Sequence, residues 1–305
     1  MAESNLAVYA AIASNLAIAV TKFVVAGVTG SSAMLSEGIH STVDTGNGIL
    51  LLVGIRLSRR KPSPEHPFGH GKEVFFWSLI VAVLIFGVGG GVSAYEGILH
   101  VMHPNPIENA FWSYLTLGLA FLFEGTSFVV ATRQFLREKG ELPFWRALRI
   151  SKDPATYTVM AEDAAALAGL AAAALGIFAS AQLDMPRLDG VASIVIGLIL
   201  AGVALALVHE ARSLLVGEGI RPETAKDIRA LALATAGIRT VGLPLSMYIG
   251  PEEVLLALDV GFDPEESAED VASSVRKLER AIRAKYPKIK RIYIEARSPE
   301  EMQPQ

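Results

Sequence analysis

The 305-residue chain contains no cysteine. Disulfides are excluded, and so is any metal site built on thiolates. A bound metal would have to take His, carboxylate, amide, backbone or water ligands. Histidine is scarce: there are six, and none follows His209. A histidine-rich site in residues 210–305 is therefore not expected, which leaves carboxylates as the ligands there. Charged residues make up 19% of the chain against 51% hydrophobic, and the mean hydropathy is +0.41. No stretch reads as a nucleic-acid surface. No Gly-x-x-x-x-Gly-Lys-Ser/Thr occurs, so nothing points to a nucleotide-driven machine, and no Ser/His/Asp triad can be argued. The first residues, Met-Ala-Glu-Ser-Asn-Leu, lack a basic region, so a cleaved signal peptide is not expected.

What the chain does have is long apolar runs. About 20 apolar residues span a hydrocarbon core as a helix. Six runs qualify as candidates: Leu6–Val28, Ala33–Leu57, Val74–His100, Phe111–Phe135, Tyr157–Gln182 and Leu188–Val208. Two loops are basic, one carrying Arg56, Arg59, Arg60, Lys61 and Lys72, the other Arg133, Arg137, Lys139, Arg146, Arg149 and Lys152. On the opposite side the first two loops have no Lys or Arg, and the third has only Arg187. The positive-inside bias then puts both basic loops and both termini in the cytoplasm. The expected fold is a membrane α-helical bundle of six transmembrane helices over residues 1–212. A small cytoplasmic α+β domain over 213–305 follows. There, Pro222–Ala234 and Glu265–Lys285 read as amphipathic helices, and Thr240–Gly250, Glu253–Phe262 and Arg291–Ala296 as short strands. The order αββαβ makes a ferredoxin-like layer, and a domain of this size gains from pairing with a second copy.

The most informative segment lies in the second run. His40 and Asp44 stand at i and i+4, on one helix face, and Glu37 and Asn47 fall on nearly the same face. An ionisable side chain at membrane depth costs about 2.5–3.5 kcal/mol on insertion scales. A stripe of them therefore points to use. An imidazole and a carboxylate four apart suit a divalent transition metal. In the fifth run, Glu162 and Asp163 are adjacent acids in an Ala-rich helix. Asp163 is placed to face His40 and Asp44, with Glu162 about 100° around the helix. The plainer reading of these acids is a proton-bearing group hydrogen-bonded inside the bundle. His66 and His70 form a third cluster in the first basic loop, beside Lys72 and Glu73, where Pro67 and two glycines argue against a regular helix. That loop reads either as a metal site or as a structured loop pinned by Lys72 and Glu73. Glu124 reads either as lining a water-filled path or as bonding a neighbouring Ser or Thr. Lys22 either snorkels or pairs with an acid.

Taken together, the six runs, His40-x-x-x-Asp44, the loop His66-Pro-Phe-Gly-His70-Gly-Lys72, the acid pair and the α+β tail resemble the cation diffusion facilitator family. Ser151-Lys-Asp-Pro154 and the Glu162-Asp163-Ala-Ala segment resemble its zinc transporter 9-like branch. The resemblance implies a homodimer, not an enzyme, that exports divalent metal cations from the cytoplasm against incoming protons. It implies no cofactor and no nucleic-acid partner, only metal, protons, a lipid bilayer and a second copy. The membrane would be a bacterial inner membrane or an organelle membrane. Zn²⁺ leads as cargo, with Mn²⁺, Fe²⁺, Co²⁺ and Ni²⁺ as alternatives. The implied transport site joins His40 and Asp44 to the fifth span, where Asp163 matches the second position of the family's His/Asp-x-x-x-Asp. Val159 occupies the first position and cannot ligate, which leaves Glu162, Asn47, Glu37 or water to complete the shell. His66 and His70 match the family's loop histidines, but Ser63 stands where some relatives have an acid. A membrane-anchored metal sensor or scaffold, and an enzyme with an intramembrane metal centre, remain as alternative readings.

Overall fold

The computed structural model describes residues 2–105, 110–138, 143 and 154–297. Lys139, Arg146, Arg149 and Ser151-Lys-Asp153 lie outside the described residues. The chain divides into two units, residues 1–56 with 74–212, and residues 57–73 with 213–305.

Among the described residues, six long helices build the first unit: α1 Ala2–Thr29, α2 Ser32–Ser58, α3 Glu73–Met102, α4 Ala110–Glu138, α5 Pro154–Leu183 and α6 Arg187–Val216, the last running on into the second. Four of them, α3 to α6, contain stretches long and apolar enough to cross a membrane, and α1 adds the shorter apolar stretch Asn15–Thr29. Helix α2 falls short for a structural reason. Its polar residues Ser32, Ser36, Glu37, His40, Ser41 and Asn47 are all buried, so its polarity faces protein. Between α1 and α2 the chain turns at Gly30, whose φ of 70° suits glycine and whose N–H still reaches Ala26 O at 2.8 Å.

Helices α3 and α6 meet through paired glycines. A Cβ at Gly97 would lie 2.7 Å from Gly190 O, and one at Gly190 would lie 2.8 Å from Gly97 O. One turn-pair away, a Cβ at Gly197 would lie 2.7 Å from Gly90 O. Small residues let two backbones touch where apolar burial alone gives no drive in lipid. The same stretch of α3 winds as a π-helix over Ile85–Val92. Buried Met34, Val81, Leu117, Leu170, Ile177, Ile196 and Leu200 fill the space between the helices.

The second unit is a sheet backed by α7 Pro222–Leu233 and α8 Ala268–Lys285. Its strands are β1 Ile238–Val241, β2 Leu245–Gly250, β3 Glu253–Phe262 and β4 Ile289–Arg297. The expected three strands are four. The run Thr240–Gly250 breaks at Gly242-Leu243-Pro244, because proline has no N–H for a ladder and fixes its own φ. Both pieces still lie antiparallel along β3, Val241 opposite Val260 and Met247 opposite Leu255, while β4 runs parallel on the other side of β3. Central β3 therefore turns Val254, Leu256, Leu258 and Val260 onto Ile228, Leu278 and Ile282. Full burial of each such side chain stabilises the layer by about 1.5–3 kcal/mol. Pro222 opens α7, and Ser267 with Asp270 forms a reciprocal capping box on α8.

Residues 57–73 pack within this second unit. A Cβ at Gly71 would meet Ile249 O at 2.2 Å, so only glycine fits. Lys72 Nζ donates to Leu215 O at 3.3 Å, and the Arg291 guanidinium lies over the Phe68 ring at 5.5 Å.

Candidate metal site

The polar stripe of α2 is buried and selectively unsatisfied. His40 is 3% exposed, and its Nε2 has no hydrogen-bond partner among the described residues. Asp44 Oδ1, Asn47 Oδ1 and Glu37 Oε1 are also buried without a partner. Buried polar atoms are otherwise nearly always paired, so four on one helix face make this the candidate binding site.

The partners that are present show how the site is held. Asn47 Nδ2 donates to Glu162 Oε1 at 2.9 Å, joining α2 to α5. Ser127 Oγ of α4 donates to Asp163 Oδ2 at 2.9 Å. The acid pair thus splits: Glu162 reaches α2, and Asp163 is held from α4. Asp163 remains within electrostatic reach of Asp44 and His40, and Glu162 within reach of Asp44. Glu124 lines a narrow crevice with Asn15, Ile18, Ser41 and Asp44. Val159 points outward, 36% exposed.

Among the described residues, no three His, Asp or Glu side chains stand close enough to hold one metal ion. The convergence of His40, Asp44 and Asp163 expected from the sequence is therefore not seen. Hydrogen bonds to Asn47 and Ser127 engage the α5 carboxylates instead. Glu37 is engaged as well. Fully buried Lys22 donates from Nζ to Glu37 Oε2 at 3.0 Å and to Ser41 Oγ at 2.8 Å. An ammonium at that distance opposes a second cation on the same carboxylate.

In the loop, the His66 and His70 rings do come together, with centroids 4.4 Å apart and planes tilted by 34°. The turn that achieves this is closed by reciprocal Ser63–His66 backbone hydrogen bonds of 3.1 Å and by Gly69 at φ 87°. Lys72 pins the loop by donating to Leu215 O, within the same unit. The Lys72 contact accords with the pinned-loop reading, and among the described residues no His, Asp or Glu completes a group of three with the two histidines.

Sequence reading missed Ser127 and Asp189. Ser127 gave no signal beyond a hydroxyl in an apolar helix. Asp189, an acid in the first turn of α6, carries no local signal that separates it from other helix-start acids, yet it is fully buried.

The profile of the cation efflux transmembrane domain matches residues 8–216. The Xenopus laevis protein named "Proton-coupled zinc antiporter SLC30A9, mitochondrial" is 35% identical over 238 residues, covering 77% of this chain and 42% of that protein. Metal tolerance protein C4 of Arabidopsis thaliana is 32% identical over 265 residues, covering 86% of this chain and 58% of that protein. A nickel form of the MamM CTD, a solved structure, is 20% identical, covers 26% of this chain and 98% of that chain, and has a TM-score of 0.24. The chain spans less than half the length of the SLC30A9 relative it matches.

Proposed function

The chain belongs to the cation efflux family, and from that premise we propose that it is a proton-coupled antiporter. Its cargo is a divalent transition-metal cation, Zn²⁺ first, exported from the cytoplasm or an equivalent compartment. The observation that carries this reading is the set of buried, unpartnered atoms on α2, His40 Nε2, Asp44 Oδ1 and Asn47 Oδ1, opposite the acids of α5.

The cycle is alternating access. Water reaches His40, Asp44 and Asp163 from the cytoplasmic side. An arriving metal replaces the Asn47–Glu162 and Ser127–Asp163 hydrogen bonds, draws the α5 carboxylates toward α2 and displaces protons, because ligands must be deprotonated. Helices then rock, the site opens to the other side, and protons compete for the same lone pairs. All six helices cross the bilayer in this reading, with α2 inside the bundle. The termini and the α+β unit are cytoplasmic, in a bacterial inner membrane or an organelle membrane. Two copies pair through the α+β unit, where Leu243 and Leu245 are exposed apolar residues.

Zn²⁺ uptake into proteoliposomes under an imposed pH gradient tests the reading. Uptake should follow the opposing proton gradient and collapse with a protonophore. Binding should weaken as pH falls. Flux indifferent to both pH and protonophore would replace antiport by uniport, and binding without flux would leave a sensor.

A further inference from the structure

A second polar cluster lies where the turn between α1 and α2 meets the start of α6. Asp189 of α6 is fully buried. Its Oδ2 accepts from the backbone N–H of Ser32 at 2.6 Å and of Ala33 at 3.3 Å, and its Oδ1 accepts from Ser31 Oγ at 2.7 Å. Ser32 Oγ and Ser193 Oγ are 2.7 Å apart. A carboxylate from α6 thus caps the N-terminus of α2, where both the free N–H groups and the helix dipole favour negative charge. Beside it stands His100 of α3. Its Nε2 lies 3.8 Å from Asp189 Oδ2, is buried, and has no hydrogen-bond partner among the described residues.

Helix α2 carries His40, Asp44 and Asn47. If α2 rocks against α6, the Ser32 and Ala33 amides leave Asp189. A buried carboxylate stripped of its donors is strongly destabilising, so another donor must arrive. A movement of about 1 Å brings His100 Nε2 to hydrogen-bond distance. We propose that Asp189 is a positioning residue with two alternative partners. It holds the N-terminus of α2 in one transport state and the His100 imidazole in the other. Asp189 and His100 sit on α6 and α3, the glycine-packed pair, so the exchange takes place on one rigid face while α2 moves. This inference rests on the transport reading.

The absence of cysteine makes a direct test available. In Ser32→Cys/Ser193→Cys, oxidation should join α2 to α6. Zn²⁺ flux should then fall by about tenfold or more, as for a blocked conformational step. Reductant should restore it, and neither single variant should respond to oxidation. In parallel, His100→Ala should lower the maximal rate by about tenfold with the zinc binding isotherm unchanged, and His100→Gln, which keeps a donor, should recover most of it. Parent-like flux from fully crosslinked protein overturns the inference, as does a His100→Ala variant that transports normally or that loses zinc binding in step with rate. A parent chain that moves no zinc under a pH gradient overturns the transport reading and this inference together. Flux that survives the crosslink overturns this inference alone.

Discussion

The two units of the molecule handle charge in opposite ways. In the helical unit, ionisable groups are buried and their partners incomplete. Lys22 and Glu37 are each 0% exposed, yet Glu37 keeps one unpartnered oxygen, as do Asp44 and Asn47. In the α+β unit the charges sit in water and pair simply: Lys285 with Asp227, Lys288 with Glu252, Arg239 with Asp263. Exposed pairs of this kind contribute little. The tail is held by its apolar layer, from Val254 to Val260 on β3. The difference teaches where function resides. Burying a charge is tolerated only where something is gained, and here the buried groups are the ones that the proposed exchange of protons for a cation would use.

The largest effect should come from removing a site carboxylate. Loss of a group outside the ligand shell typically costs 10–100-fold in affinity or activity, so Asp44→Ala and Asp163→Ala should each lower Zn²⁺ flux by more than about 100-fold. Both proteins should stay folded, since both residues lie in the helical unit, outside the sequence of the α+β unit. Glu162→Gln should weaken zinc binding and leave folding intact. Near-normal flux by either alanine variant would remove the assigned site. An unchanged binding isotherm for Glu162→Gln would remove that residue.

Next in size is the Lys22–Glu37 pair. Breaking a buried ion pair by removing one partner costs about 3–5 kcal/mol. Lys22→Met should therefore lower the unfolding temperature in detergent sharply, and Lys22→Met/Glu37→Leu should recover much of the loss. Lys285→Met in the tail should change it little. If the two lysine variants were equally mild, the contrast between the units would fail.

Much of this contrast was legible in the sequence, for a physical reason. Apolar runs of helix length announce helices whatever their neighbours, and the period of His40, Asp44 and Asn47 announces a shared face. Periodicity names the face and not the partner. It could not say that Glu162, rather than Asp163, reaches α2, or that Lys22 would take up Glu37. Residues 57–73 illustrate the same limit. Their prolines and glycines read correctly as an irregular loop, but the close approach of Gly71 to Ile249, which ties the loop to the sheet, depends on atoms distant in sequence. Pro244 did carry a local signal, and the break it makes between β1 and β2 follows from its missing N–H.

The smallest expected effect sharpens the tail's side of the comparison. Asp227 accepts from Lys285 Nζ and from the Tyr286 hydroxyl, and these hydrogen bonds hold its carboxyl below the usual carboxylate range. Partial burial, then the Asp227 hydrogen bond, pushes the Tyr286 phenol up to about 12. The signs give two windows. The depressed Asp227 contributes stability above the ordinary carboxylate value and loses it as pH falls through the lowered one. The raised Tyr286 contributes stability below the ordinary phenol value and loses it as pH rises toward about 12. Between those limits the tail should be insensitive to pH, whereas zinc binding by the helical unit should weaken steadily as protons are added. Asp227→Asn should lower the unfolding temperature by no more than about 3 °C at neutral pH and shift the alkaline tyrosine titration of the full chain toward lower pH. An unmoved titration would mean that Asp227 does not hold the Tyr286 proton. A tail that unfolded between pH 6 and 8 would mean that titrating groups in the tail contribute more than their exposure implies.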